Sequence, residues 1–221
     1  MKIALVITGD VRDCLANKYL ADHYKEFDVF CSTYIKHKEY VKTIGKTNHS
    51  IFIDPDNEIR LPDGLPKEKM QQNMLQWLHL DNILKNFKEQ LLEYDVIIKL
   101  RFDTIINNYK PEILKNLQVN DNVLYNHSDV VFYATTPTFF KAFGDFYDNI
   151  PLSYDISFTN HNFVNSWKSE KMFLKNIHDK KITFLKHMSF TVKLARGKYK
   201  KVVGDGNQPL YEKDKMKGKF S

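Results

Sequence analysis

Tyr94-Asp95-Val96-Ile97-Ile98-Lys99-Leu100-Arg101-Phe102-Asp103-Thr104-Ile105-Ile106 is a short apolar run that ends in charged residues. Val96 to Leu100 is β-branched and aliphatic apart from one lysine, which predicts a buried strand of a parallel or mixed sheet. Arg101 and Asp103 fall where that strand emerges. Ligands of open α/β sheets sit outside the carboxyl ends of the strands, so an Arg-Xaa-Asp there is either placed for chemistry or a strand-end ion pair.

Lys2 to Thr8 reads as a central strand, and Thr8-Gly9-Asp10-Val11-Arg12 as a tight strand-to-helix turn. Gly9 lets the backbone approach a ligand closely, and Arg12 in a first helical turn reaches a phosphate beside the amide donors there. The ordinary βα turn is the alternative. The stretch is neither GxGxxG nor a P-loop, so it supports no dinucleotide or NTPase site. A helix over Cys14 to Tyr24 leads to strands at Phe27–Tyr34 and Ile51–Ile53, and proline-rich loop chemistry runs from Asp54 to Pro66. Met70, Met74, Trp77, Leu80, Leu84, Phe87 and Leu91 give Glu68–Glu93 one apolar helical face, with Gln71, Gln72, Asn73 and Gln76 crowding its first turns. Those amides either face a sugar or base or are ordinary helix surface.

Further on, Pro111–Leu117 predicts a short helix, while Asp121–Tyr125 and Val130–Ala134 predict strands with Asp129 at a strand entrance. Thr136-Pro137 opens a helix to Tyr147 with a hydroxyl N-cap. A helix begins at Ser166 with Glu170 in its first turn, and Ile182–Leu185 and Phe190–Leu194 make last strands. Strands alternating with helices predict one α/β domain over residues 1–205, with a central mixed, mostly parallel sheet flanked by helices and a Rossmann-like nucleotide-binding half. Residues 206–221 are expected to form a basic C-terminal tail.

Composition, 43% apolar and 27% charged, is that of a soluble globular protein. No run approaches a membrane span of roughly 18 or more apolar residues, and the opening lacks the length and cleavage site of a signal peptide. Cys14 and Cys31 show no metal spacing and suit buried thiols in a reducing compartment, which makes the cytoplasm the expected location. The net charge of +6 suits anionic ligands or peripheral contact with an anionic membrane surface. Only Arg12, Arg60, Arg101 and Arg196 stand against 29 lysines, and two of the four fall just past core strands. Arginine offers phosphate a planar fork, so that placement points to a phosphate site. A carboxylate past a middle strand also suits a hard divalent cation beside a diphosphate, with Asp103 as ligand and Arg101 and Arg12 carrying the remaining negative charge. His187, between the last strands, is a late-chain ligand that would complement Asp103. His127, His161 and His178 read as surface or loop histidines, and Trp77 as core.

Ile7-Thr8-Gly9-Asp10-Val11-Arg12, Phe27-Asp28-Val29-Phe30, the Gln72-Asn73-Met74 to Leu84 helix, Tyr94 to Asp103, Ser128-Asp129-Val130-Val131-Phe132-Tyr133 and Ser169-Glu170-Lys171-Met172-Phe173-Leu174 together resemble small GT-A-type glycosyltransferases. The likeness is to the bacterial and viral group related to WavE-like polysaccharide synthesis proteins. The resemblance implies a nucleotide-sugar donor, such as a UDP- or GDP-sugar, bound by Thr8, Gly9, Arg12, Lys99, Arg101 and Asp103. It implies a glycan or glycoconjugate acceptor near Asp129; by their own chemistry Gln76 and Trp167 are the candidate acceptor contacts, with core packing the alternative reading of Trp167. Arg101-Phe102-Asp103 stands where a DxD motif belongs, so Mn²⁺ or Mg²⁺ binding rests on Asp103, with His187 beside it. Glu170 and then Asp129 are the carboxylates implied for the acceptor hydroxyl's proton. Two other readings stay open: a nucleotide-sugar-binding domain without turnover, and a basic, aromatic-rich nucleic-acid binder. Lysines scattered along the chain and phenylalanines on apolar faces count against nucleic acid as a partner.

Overall fold

Six consecutive aliphatic or hydroxyl residues, Ile3–Thr8, form β1, which is buried on both faces as a central parallel strand must be. In chain order the main sheet continues with β2 (Asp28–Tyr34), β3 (Lys46–Ile53) and β4 (Val96–Arg101). After β5 (Thr104–Ile106) come β6 (Val123–His127), β7 (Val131–Thr135) and β8 (Thr183–Lys186). The structure is a computed structural model that describes residues 1–11, 23–42, 44, 46–55, 59–61, 72–107, 109–127, 130–150, 173, 176–186, 190, 192–194, 199–203 and 209–213. The seven-stranded sheet has the order β3-β2-β1-β4-β7-β6-β8. β1 pairs in parallel with β2 and β4, β2 with β3, and β6 with β8; only β7 runs antiparallel to its neighbours β4 and β6. This is the α/β class expected from the sequence, with a mixed, mostly parallel sheet between helices.

Alternation along the strands divides the core into two layers. Ala4, Val6 and Ile97 face a layer made by α2 (Gln72–Asn86) and α5 (Thr136–Phe143), the helices numbered after α1 (Lys38–Val41). Leu5, Ile7, Ile98 and Leu100 face the other layer, with Val41 of α1 and Leu114 of α4 (Pro111–Lys115), α3 being Lys88–Leu91. The first layer centres on Trp77, which stacks on Phe143 and Phe173 at centroid distances of 6.0 and 5.3 Å and meets Phe146 edge-on at 5.2 Å. Rings of this size bury the most apolar area per residue, so the cluster dominates the packing of the sheet's α2 face.

Several expectations are corrected. The single helix over Glu68–Glu93 breaks at Phe87, whose φ of −120° and ψ of 26° leave helical space before α3 restarts. β3 begins at Lys46, because an edge strand satisfies its backbone on β2 without an apolar run. Thr135 takes the N-cap position of the helix after β7 without a side-chain cap bond; Thr136 is already helical and donates its hydroxyl to the Tyr94 carbonyl at 2.6 Å. That helix ends at Phe143. β9 (Val192–Leu194) leaves the main sheet to pair antiparallel with β5. β10 (Tyr199–Val203) and β11 (Pro209–Lys213) pair as an antiparallel ribbon. The helix over 14–22, the loop at 56–58 and 62–66, and the opening of the helix bearing Glu170 lie outside the described residues. No described helix is long and apolar enough to cross a membrane.

Trp77→Ala removes the ring on which Phe143, Phe146 and Phe173 pack, and is expected to lower stability by about 3–5 kcal/mol, read from urea unfolding.

Candidate functional site

From β1 the chain builds outward to β2 and β3, then crosses to the other side of β1 to form β4. Growth of the sheet therefore reverses between β1 and β4, and a crevice opens at their carboxyl ends, the place where open α/β sheets bind ligands. Thr8 and Arg101, the last residues of the two strands, are register partners there. Thr8 also pairs with Ser32, and Ser32 with Ile51. One row across four parallel strands thus reads Ile51, Ser32, Thr8, Arg101, and by alternation it lies on the α2 face with Ala4, Val6 and Ile97. Two residues deeper on that face the row reads Phe30, Val6, Lys99, Phe132.

Gly9 follows with φ of +102°, and its amide donates to the Ser32 carbonyl at 3.1 Å. Among the described residues no heavy atom lies within 4 Å of the position a Cβ would take, and the backbone conformation itself calls for glycine. Asp10 Oδ1 then lies 2.8 Å from His37 Nε2 and 4.0 Å from Lys36 Nζ.

Arg101 grips Asp103 in a fork. Its Nε donates to Oδ1 at 2.9 Å and its Nη2 to Oδ2 at 2.8 Å, while its amide donates to Thr104 Oγ1 at 3.1 Å. Asp103 is buried and Arg101 partly so. The strand-end ion pair is the reading the geometry bears out, and its effect is to fix one edge of the guanidinium at the switch point. Lys99 is fully buried, with Nζ 5.7 Å from the Trp77 centroid and 5.4 Å from that of Phe132, within cation–π range.

Over the other half of the row stands α2. It leads from β3 to β4, so its first turns lie above the carboxyl edge. His79 Nδ1 is 2.8 Å from Ser32 Oγ, and Tyr34 meets the imidazole edge-on at 5.1 Å. Burial pushes the His79 pKa down to about 4, so the ring is neutral at pH 7. Among the described residues, His79 Nε2, Thr8 Oγ1 and, one turn earlier on α2, Gln76 Oε1 are buried without a hydrogen-bond partner. An unmet buried polar atom costs about 1–3 kcal/mol, so Thr8 and His79, both beside Ser32, mark a place where water or a ligand completes the bonding.

From the set expected on sequence grounds, Thr8, Gly9, Lys99, Arg101 and Asp103 lie together at the carboxyl ends of β1 and β4, and Gln76 lies on α2 one turn before His79. Arg12, Asp129, Trp167, Glu170 and His187 lie outside the described residues. Ser32 and His79 are additions. Ser32 had a faint signal as a hydroxyl closing an apolar strand, and His79 as an imidazole beside the apolar stripe of its helix.

The described residues do not fit a divalent-cation centre. Both Asp103 oxygens accept from Arg101, so a cation on either sits a few ångström from a fixed guanidinium. Like unit charges 4 Å apart repel by about 4 kcal/mol at an effective dielectric of 20, and a doubly charged ion doubles that. Among the described residues no group of three or more His, Cys, Asp or Glu converges.

No protein-family model matches the chain. No curated protein matches it. Three solved structures to which the chain is similar are of glycosyltransferases. One is the glycosyltransferase GlyE of Streptococcus pneumoniae TIGR4, at 14% identity and TM-score 0.46 over 85% of this chain and 45% of that one. Its apo form gives 15% identity and TM-score 0.42 over 84% and 45%. A glycosyltransferase involved in glycosylation of the major capsid of PBCV-1 gives 9% and 0.43 over 85% of this chain and 82% of that one. The chain spans less than half the length of GlyE. These neighbours carry nothing about the WavE-like group, and the chemistry has to come from this chain's own residues.

In the unfolded chain His79 takes up its proton near the ordinary value of 6.5, in the folded chain only near 4. Between those values the unfolded state binds the extra proton, so stability falls as pH drops from about 6.5 to about 4, by up to about 3 kcal/mol, and is unaffected by this group above 6.5. Urea midpoints across pH 4 to 7.5 should show that slope in the native protein and a shallower one in His79→Gln.

Proposed function

We propose that the chain is a glycosyltransferase that moves a sugar from a nucleotide-diphosphate sugar to a hydroxyl of a glycan acceptor. The observation that carries this reading is the row Ser32, Thr8, Arg101 at the switch point of a parallel sheet. Uncharged donors and acceptors (Ser32 with His79, Thr8, Gln76) occupy its β2 side, and cationic side chains (Arg101, Lys99) its β4 side. A ligand that satisfies both halves has a neutral hydrogen-bonding end and an anionic end, as a nucleoside diphosphate has.

In this reading Gly9 admits the donor close to the backbone, and Lys99, Arg101 and Arg12 stabilise charge on the departing diphosphate. Asp103 acts through Arg101 by holding it in place. An acceptor hydroxyl attacks the anomeric carbon, and the bond to the diphosphate oxygen breaks with its electron pair. Glu170, or Asp129 after it, takes the hydroxyl proton if the configuration inverts. Trp167 offers the acceptor a stacking surface. Assistance by Mn²⁺ or Mg²⁺ belongs to the reading only as far as a cation reaches Asp103 or His187, and no step is routed through one.

The same Arg101–Asp103 fork favours a second reading, a domain that binds the nucleotide sugar without turning it over. Hydrolysis of the donor separates the two, since a binding domain leaves it intact.

A thermal-shift panel of UDP-, GDP- and dTDP-sugars, with and without Mn²⁺, tests donor binding, because a ligand that binds only the folded chain raises its apparent stability. At least one nucleotide is expected to raise Tm, and Arg101→Gln to abolish the rise. No shift with any of them contradicts both readings.

A further inference from the structure

Charge is distributed along this chain in a way that its total conceals. Of 33 basic residues nine lie in 192–221, against three of the 27 acidic ones, so this stretch carries the whole net charge of +6 and residues 1–191 balance at 24 of each sign. Among the described residues, the stretch meets the fold beside the candidate site. β9 pairs antiparallel with β5, the strand that follows the Asp103 turn, with Thr104 opposite Leu194 and Ile106 opposite Val192.

Beyond that tether β10 and β11 form a two-stranded ribbon that, among the described residues, joins neither other sheet. Such a ribbon is marginally stable alone in water and gains from a surface to lie on. Its register pairs Tyr199 with Lys213, Lys201 with Tyr211 and Val203 with Pro209, alternating with Lys200 opposite Glu212 and Val202 opposite Leu210. The first alternate set holds two lysines, two tyrosines and no acid.

We propose that the β10–β11 ribbon is a docking element for an anionic lipid bilayer surface, which brings the adjacent crevice to the membrane. Composition favours lipid over a soluble polyanion. Eight of the nine basic residues are lysines, which act as compact point charges, and only Arg196 offers the fork that discrete phosphate recognition uses. Tyrosine and aliphatic residues interleaved with lysine suit the headgroup layer, where apolar parts enter and ammonium groups stay at the phosphates. The inference stands apart from the transferase reading, since neither requires the other.

Co-sedimentation of the full chain with phosphatidylcholine vesicles, with and without about one third phosphatidylglycerol, tests it. Binding is expected only to the anionic vesicles and is lost in high salt. The variant carrying Lys201→Gln, Lys213→Gln and, from the other set, Lys200→Gln should bind them at least about ten-fold more weakly, Lys201 and Lys213 on the acid-free set each being worth close to a factor of five. Its nucleotide thermal shift and Tm should match the native chain. Equal binding to neutral vesicles, no binding to either, salt-insensitive binding, or an unweakened triple variant overturns the proposal. Preference for soluble polyphosphate over the vesicles overturns it as well. The salt dependence of the native chain decides the matter even where the variant misfolds.

Discussion

Parallel pairing of β1 with β4, in the register that sets Thr8 beside Arg101, is the constraint on which the rest of the molecule depends. A slip of one residue would turn Thr8, Lys99 and Arg101 to the opposite face and bring Ile7 and Leu100 under α2. Burial on both faces prevents that slip: Leu5, Ile7, Ile98 and Leu100 are committed to one layer, Ala4, Val6 and Ile97 to the other. The hydrophobic cores on the two sides thereby aim three polar side chains at a single edge.

Electrostatics at that edge are arranged by cross-bracing. Asp103 neutralises Arg101 and fixes its orientation, so the pair contributes directed donors more than net charge. Lys99, held between aromatic rings deeper on the same face, and the neutral His79 on the other half of the row divide the crevice by polarity. A second braced cluster lies away from the crevice. There Arg60 and Lys85 both engage buried Asp81 and half-exposed Asp148, with the Arg60 guanidinium 4.8 Å from the Tyr147 centroid. This cluster ties α2 to the segment after α5.

The sequence made the central strands legible because β1, β4 and β7 are buried on both faces and so read as unbroken apolar runs. β3 was only partly legible, since an edge strand draws its stability from backbone pairing and needs no apolar pattern along Lys46 to Ser50. Helix periodicity identified α2 but carried straight through Phe87, where a backbone dihedral, not a change of pattern, ends the helix. Arg101-Xaa-Asp103 was visible with both of its meanings, and only side-chain geometry showed the two residues bonded to each other. Ser32 and His79 were illegible as a pair, because 47 residues separate them and register alone brings them together. The concentration of charge in 192–221 was present in the sequence but acquired a meaning only when β9 was found against β5.

Hydrogen–deuterium exchange with and without a nucleoside diphosphate tests the central claim most directly. If the crevice between β1 and β4 is the ligand site, peptides covering Thr8 to Val11 and Lys99 to Asp103 gain protection when the nucleotide is added, while the far strands β6 and β8 do not change. Protection confined to β6 and β8, or binding that leaves Thr8 to Val11 and Lys99 to Asp103 unprotected, would contradict it.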